Sequence, residues 1–133
     1  MTALTDNKEV SEKNRRLLEN GVAVDIIFKG AIVKINAAGF YAPMAAEASA
    51  FMAGIAYEKC DNSGGSAGDL ECKVLREGVF ELAGAGFAQA DVGSTVYASD
   101  DQTVSTTQGT NEIAVGKIAQ VVSATLVRVD IEV

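Results

Sequence analysis

Apolar and polar residues alternate near both ends of the region that runs from residue 21 to residue 133. The stretch GVAVDIIFKG alternates after Gly21, and the final stretch TLVRVDIEV does so to the last residue. Because the side chains of a β-strand point alternately to its two faces, both stretches are typical of strands with one buried face. The residues predicted to be buried are Val22, Val24, Ile26, Phe28, Val127, Val129 and Ile131.

Short apolar segments separated by turn signals lie between these two strands along the chain. They read AIVKIN, DLECKVLR, GVFEL, STVYAS, QTVSTT and EIAVGKIAQVV, and Gly, Asn or Asp residues stand between them. Short strands at this spacing favour an antiparallel architecture. We therefore predict an all-β fold, with residues 21–133 forming one small barrel-like or sandwich-like body.

Residues 1–20 differ in kind, being polar and mixed in charge. Asp6 followed by Glu9 is typical of a helix start, and Asn20-Gly21 of a helix stop. On a helix, Val10 would share one face with Leu17 and Leu18, but so thin a stripe does not hold a helix on a core. This pattern predicts an N-terminal arm with one or two helical turns. The alternative is a frayed terminus without a role. The candidate partner contacts on the arm are Leu4, Val10, Leu17 and Leu18.

The charge distribution bears on possible partners. The net charge is −7, and the charges of residues 1–20 cancel, so the whole deficit lies in residues 21–133. An acidic body without a basic stripe repels nucleic acid and anionic membranes, so we expect neither as a partner. No stretch is apolar enough to span a bilayer, and residues 1–20 lack the apolar core of a signal peptide. We expect synthesis in a cytoplasm.

The stretch YEKCDNSGGSAGDLECKV, at residues 57–74, is the segment with the most candidate chemistry. A phosphate-binding loop needs a Lys after its glycines and a following helix, and this segment has neither. The glycine spacing of a dinucleotide site is also missing. Cys60 and Cys72 stand twelve residues apart in a chain without His, which is half of a zinc site. The sequence predicts a turn here, with no cofactor and no metal.

The two cysteines have two possible states. Cys72 alternates with exposed Glu71 and Lys73, which points its side chain into the core, where a thiol acts as a small apolar group. In a chain made in a reducing compartment, we expect Cys60 and Cys72 to be a reduced and dispensable pair. A disulfide between them is the alternative.

Residues for catalysis are scarce. The absence of His removes the most common general base. Asp100-Asp101 is typical of a turn, because Asp side chains accept hydrogen bonds from the backbone that follows. Glu77 and Glu81 would share the solvated face of a strand. We expect no enzymatic activity.

Four segments together resemble a family of small head proteins of tailed bacteriophages, the capsid cement or decoration proteins. They are KGAIVKINAAGFYAP (Lys29–Pro43), FMAGIAYEKCDNSGGSAG (Phe51–Gly68), REGVFEL (Arg76–Leu82) and DVGSTVYASDDQTVS (Asp91–Ser105). Their order and spacing carry the resemblance, and VGKI and the alternating last strand extend it over about residues 20–133.

The resemblance implies a non-enzymatic virion protein without a cofactor. It would bind the outside of an assembled shell, commonly as a homotrimer, with the major capsid protein as its partner, and would clamp adjacent subunits. Its location would be the outer capsid surface, after synthesis in the cytoplasm of the bacterial host. A second hypothesis is a small β binding module on the same virion that recognises a glycan or a host surface.

Overall fold

The computed structural model describes residues 2–10 and 13–133, and its regular secondary structure is almost entirely β-strand. The one helical segment there is a 3₁₀ turn at Gln89–Asp91, and the described residues contain no α-helix. The all-β prediction is therefore confirmed. The strands are β1 (Leu17–Gly21), β2 (Ile26–Ile27), β3 (Ile32–Ile35), β4 (Tyr41–Pro43), β5 (Phe51–Ala56), β6 (Cys60–Asp61), β7 (Glu71–Leu75), β8 (Glu77–Ala83), β9 (Thr95–Ala98), β10 (Ile113–Ser123) and β11 (Leu126–Glu132).

These strands form three antiparallel sheets. A five-stranded sheet has the order β1-β7-β5-β3-β4, and a four-stranded sheet has the order β8-β11-β10-β9. Strands β2 and β6 form a short two-stranded ribbon. The two larger sheets meet through β7 and β8, which follow each other with only Arg76 between them.

The five-stranded sheet curls so that its two edges approach each other. Val22, directly after β1, forms a parallel bridge with Tyr41 of β4. The backbone N–H of Ala23 donates to the carbonyl oxygen of Tyr41 at 2.9 Å. The Tyr41 hydroxyl donates to the carbonyl oxygen of Leu18 at 3.2 Å, and burial raises the pKa of Tyr41. This half of the molecule is therefore close to a closed barrel, which satisfies backbone groups that an open edge would leave unpaired.

Two hydrophobic cores follow from this arrangement. The first core lies between the two larger sheets, and the second lies inside the curl of the five-stranded sheet. The first contains Ile32, Met44, Ile55, Leu82, Phe87, Val96, Ala98, Val104, Ile113, Val115, Ile118, Val127, Val129 and Ile131. The second contains Val22, Ile27, Ala31, Val33, Tyr41, Ala53, Ala56, Cys60, Cys72 and Val74.

The alternation predicted for the last strand is confirmed. Val127, Val129 and Ile131 of β11 are fully buried in the first core. The opposite face of β11 is more exposed and carries its charged residues. Both neighbours of β11 are long strands, since β8 pairs with it over seven residues and β10 pairs along its other side.

The burial predicted for Val24 and Phe28 is wrong, because both side chains are 55% exposed. Val22 is buried as predicted, but Ile26 is only half-buried and its neighbour Ile27 is fully buried. The stretch is not one strand. The chain bends at Val24 and Asp25, where the Asp25 carboxylate accepts from the N–H of Ile26 at 2.8 Å, so the alternation restarts in the ribbon.

The predicted helical turns at the end of the arm are also wrong. Leu17–Gly21 is strand β1, paired in register with β7 from Leu17 opposite Leu75 to Gly21 opposite Glu71. Residues 2–10 and 13–16 contain bends but no helical turn. A short isolated helix is marginal in water, whereas the edge of β7 offers a ladder of backbone hydrogen bonds. The predicted boundary after residue 20 therefore falls inside a strand of the body.

The prediction of reduced cysteines is contradicted, because Cys60 and Cys72 form a disulfide with their Cα atoms 6.0 Å apart. Both residues lie in the second core, as the alternation predicted for Cys72. The pairing of β7 with β5 and of β6 with β2 brings their side chains together. The bond joins the ribbon to the five-stranded sheet.

Candidate functional site

The N-terminal arm, defined here as residues 2–10 and 13–16, lies outside the body. Every residue in these ranges is exposed. Leu4 is 72% exposed and Val10 is 81% exposed. The predicted helical face of Val10, Leu17 and Leu18 does not form, since Leu17 and Leu18 lie half-buried in β1. The arm thus offers two apolar side chains that the body does not cover.

A small cleft marks the point where the arm meets the body. It has a volume of about 210 Å³ and lies along β1 and β7. Its apolar residues are Leu17 and Leu18, and its polar residues belong to the arm, to β1 and to β7. The lining residues are Lys13, Asn14, Leu17, Leu18, Glu19 and Lys73.

Arg15 ties the base of the arm to the last strand. Its Nη2 atom lies 3.8 Å from Oε1 of Glu132 and 3.5 Å from the carbonyl oxygen of Val133. Glu132 stands opposite Glu77 in the pairing of β11 with β8, and like charges directly opposite destabilise a sheet. Arg15 therefore places a positive charge beside an acidic pair. The next residue extends the connection, since the Arg16 carbonyl oxygen accepts from the N–H of Arg76 at 2.7 Å.

The loop between β6 and β7 is organised around a buried amide. Asn62 is only 5% exposed, and its Nδ2 atom donates to the carbonyl oxygens of Val22 at 2.9 Å, Ala23 at 3.2 Å and Ser66 at 2.9 Å. A side chain at Gly65 would collide with the Asn62 amide, since a Cβ there would lie 2.5 Å from Oδ1. Glycine at this position is therefore needed for close packing. The predicted turn is confirmed, but the anchoring role of Asn62 was not predicted.

Both aspartates of this loop are occupied by local hydrogen bonds. Asp61 accepts from the hydroxyl of Ser63 at 2.6 Å and from its N–H at 3.0 Å, and these bonds lower the pKa of Asp61. Asp69 accepts from the N–H of Ser66 at 2.8 Å. These carboxylates shape the turn.

Asp100 has the turn-forming role that the sequence predicted. Its carboxylate accepts from the N–H of Gln102 at 2.9 Å, and from the N–H and hydroxyl of Thr103 at 2.7 and 2.6 Å. Partial burial raises the pKa of Asp100, but the hydrogen bonds from Thr103 and Gln102 outweigh it and lower the value.

Glu81 lies 3.9 Å from Arg128 as an exposed ion pair on the face of the four-stranded sheet.

Two open grooves lie near the contact between the larger sheets. One, of about 440 Å³, has no aromatic residue in its lining, which is Met52, Thr95, Ala114, Val115, Gly116, Lys117, Asp130, Glu132 and Val133. The other, of about 360 Å³, runs along residues 47–52 and 111–114. It includes Phe51, whose side chain is 63% exposed.

Sequence reasoning missed an ion pair with a buried lysine. Lys34 is 7% exposed, and its Nζ atom lies 2.8 Å from Oε1 of Glu47. The alternation in AIVKIN placed Lys34 opposite the apolar face of β3, but both faces of β3 are covered. Only the absence of a second polar residue within Ile32–Ile35 could have indicated this.

Polar groups inside the body are well satisfied. No buried side-chain nitrogen or oxygen atom of residues 2–10 and 13–133 lacks a hydrogen-bond partner. Within the same ranges, no helix has the length and apolar character needed to cross a membrane.

Comparison of the chain with models of known protein families, with curated proteins and with solved structures gives no match.

Proposed function

We propose that this protein is a structural component of a tailed-bacteriophage head. It binds the outer surface of the assembled capsid and stabilises the shell by clamping adjacent major capsid subunits. The observation that carries the proposal is the set of segments that resemble capsid cement proteins. They lie on both larger sheets, on the ribbon and on the loop after β6. Lys29–Pro43 covers β3 and β4, Phe51–Gly68 covers β5 and β6, Arg76–Leu82 covers most of β8, and Asp91–Ser105 contains β9.

The exposed arm supports a docking role. Single exposed apolar side chains are common on protein surfaces, but Leu4 and Val10 belong to a segment without any contact that buries it. Such a segment gains contact area when it orders on a partner, at a cost in conformational entropy. We infer that Leu4 and Val10 contact the shell or a neighbouring copy of this protein.

A rigid body with satisfied polar groups suits this function. The side chains of Asn62, Asp61 and Asp100, which could have indicated chemistry, form the hydrogen bonds that hold turns in place. A homotrimer would place three arms on adjacent capsid subunits. Binding at three points gains avidity, because each further contact is intramolecular once the first has formed.

The second candidate is a small β binding module, displayed on the virion, that recognises a host surface or a glycan. Exposed Phe51 beside the groove of about 360 Å³ is the observation that favours it, because aromatic rings provide apolar contact area for a bound ligand. Replacing Phe51 with Ser should weaken host or glycan binding under this hypothesis and leave shell binding unchanged.

The decisive experiment uses empty capsids, without this protein, of the phage or prophage that encodes it. The purified protein should add ordered density outside the shell, in groups of three copies, by cryo-electron microscopy. A Leu4→Ser/Val10→Ser variant should lose to the natural protein in competition for the same shells. The matched control is Val122→Ser, which makes the same kind of change at a side chain 47% exposed on β10. Shells that bind none of these proteins would contradict the proposal.

A further inference from the structure

Three side chains with metal-binding atoms meet where the ribbon joins the five-stranded sheet. One carboxylate oxygen of Glu58 and the sulfur atoms of Cys60 and Cys72 all lie within 4.8 Å of one another. Cys60 is 4% exposed and Cys72 is fully buried, whereas Glu58 is exposed. The group thus has two sulfur atoms in the core and a carboxylate at the surface above them.

We propose that the reduced protein binds one Zn²⁺ ion at Glu58, Cys60 and Cys72, and that formation of the disulfide abolishes this site. Thiolate sulfur and carboxylate oxygen are ligands that zinc accepts, and water would complete four coordination from the exposed side. Sequence analysis did not predict this site, because two cysteines are only half of a zinc site. The third ligand becomes visible only when the fold places Glu58 beside both sulfur atoms.

Small movements of the three side chains would place their ligand atoms around a tetrahedral ion. With bonds of 2.0 to 2.3 Å, the ligand atoms around zinc lie roughly 3.5 Å apart. In the oxidised structure the three atoms lie within 4.8 Å of one another, and the two sulfur atoms are bonded to each other. Reduction lets the sulfur atoms separate to the spacing of ligand atoms around zinc, and the exposed Glu58 side chain is free to adjust its own distance to them. The Cα atoms of the two cysteines, 6.0 Å apart, need no large displacement.

Reduction of the disulfide by a phosphine supplies the two thiol ligands. A phosphine takes up the oxygen of one water molecule and becomes a phosphine oxide, while the disulfide takes up the two hydrogens and becomes two thiols. Zinc binding then releases the thiol protons, because the thiolate is the form that binds the metal. Two thiolates and one carboxylate carry three negative charges, which the ion reduces to one.

The test titrates Cd²⁺, a spectroscopic substitute for Zn²⁺, into reduced and metal-free protein in a phosphine buffer. The ultraviolet absorption of cadmium thiolate should reach its plateau at one ion per chain, and Zn²⁺ should displace the Cd²⁺. Glu58→Gln should weaken binding at least tenfold, about 1.4 kcal/mol, by removing one charged ligand. Glu71→Gln is the matched control, because Glu71 is an exposed carboxylate next to Cys72 that lies outside the ligand group.

Stability gives a second measurement. Zn²⁺ should raise the Tm of the reduced protein and leave that of the oxidised protein unchanged, since a ligand stabilises only the state that binds it. The inference is wrong if reduced, folded protein gives no thiolate band, or if Glu58→Gln binds as tightly as Glu71→Gln. A plateau at one ion for two chains would also contradict it, because the metal would then join two molecules. The experiment is independent of the proposed function, since it requires no capsid.

Discussion

Lys34 and Glu47 form an ion pair of 2.8 Å in which the lysine is nearly buried and the glutamate is not. The Lys34 ammonium also donates to the carbonyl oxygen of Ala45 at 3.3 Å, and Glu47 Oε2 accepts from the N–H of Ala37 at 3.1 Å. The pair therefore joins strand β3, the turn after it and the segment that leads to β5. Its two members have different surroundings, so removing one is not equivalent to removing the other.

We predict that Glu47→Gln destabilises the protein more than Lys34→Met. Glu47→Gln leaves a nearly buried ammonium without its counter-charge, whereas Lys34→Met replaces that ammonium with an apolar side chain of similar length. Lys34→Met should change the free energy of unfolding by less than about 1.5 kcal/mol. Urea denaturation of both variants measures the difference, and a larger loss for Lys34→Met would contradict the prediction.

The same pair should contribute to acid sensitivity. The hydrogen bond from Lys34, followed by that from Ala37, lowers the pKa of Glu47 below its usual value. A lowered pKa in the folded state means that the contribution of this carboxylate is present above its unfolded pKa and is lost as the pH falls through the folded value. Stability measured from pH 7 down to pH 3 should therefore decline less steeply for Glu47→Gln than for the natural protein.

Val129→Asp should prevent folding or cause aggregation. Val129 is fully buried in the first core, and an unpaired buried charge costs several kcal/mol, about the whole stability margin of a small domain. The matched control is Val122→Asp, on the neighbouring strand β10, where the side chain is 47% exposed and is not paired with an acidic residue of β11. That control should stay within about 0.5 kcal/mol of the natural protein. A Val129→Asp protein that remains soluble and melts normally would refute the assignment of β11.

Asn62→Asp should be strongly destabilising and pH-dependent. The substitution replaces an amide that donates to three carbonyl oxygens with a carboxylate that repels them, at a cost of about 2 to 4 kcal/mol at neutral pH. Burial raises the pKa of the new carboxyl group, so the loss should shrink as the pH falls and the group becomes protonated. Ala67→Ser, an exposed change in the same loop that removes no hydrogen bond, is the control. Equal denaturation midpoints for Asn62→Asp at pH 5 and pH 8 would contradict the argument.

The sequence predicts this fold well wherever a strand stays in one sheet and has one buried face. The alternation in β11 identified its buried face residue by residue, and turns such as Lys29-Gly30 lie where Gly adopts a positive φ of 84°. The prediction fails where a strand is covered on both faces or where a segment changes sheets. Lys34 lies in the first case, and the stretch from Val22 to Phe28 in the second. Period-two patterning reports the faces of a strand and carries no information on what covers them.

The parts of the candidate site depend on contacts that are distant along the chain. The spacing of Leu17 and Leu18 from Val10 is compatible with a helix. They form a strand because they pair with the edge of β7, more than fifty residues later in the chain. The disulfide likewise depends on two strands that pair with different neighbours. Local sequence identifies the cysteines as core residues but does not specify their distance.

The disulfide should contribute substantially to stability, contrary to what the sequence led us to expect. It closes a loop with a sequence separation of 12 residues, for which the chain-entropy relation gives about 3 kcal/mol. Cys60→Ala/Cys72→Ala should lower the free energy of unfolding by about that amount while leaving the fold intact. Mass spectrometry of the purified natural protein should show a deficit of two hydrogens that reduction removes. Equal stability of the variant and the oxidised natural protein would show that the bond is dispensable.

The last prediction separates the arm from strand β1. Residues 2–10 are exposed throughout, so replacing them with a Gly/Ser segment of equal length should change the free energy of unfolding by less than about 0.5 kcal/mol. Deleting residues 2–20 removes most of the ladder with β7 and the carbonyl of Leu18 that accepts from Tyr41, and should cost about 3 kcal/mol or more. Hydrogen exchange tests the same boundary without any substitution: amides of residues 2–10 should exchange at the rate of an unfolded peptide, and amides within Leu17–Gly21 should be protected. If the amides of both segments are protected, the arm is part of the folded body. If the amides of both segments exchange at the rate of an unfolded peptide, Leu17–Gly21 is not a strand of the sheet.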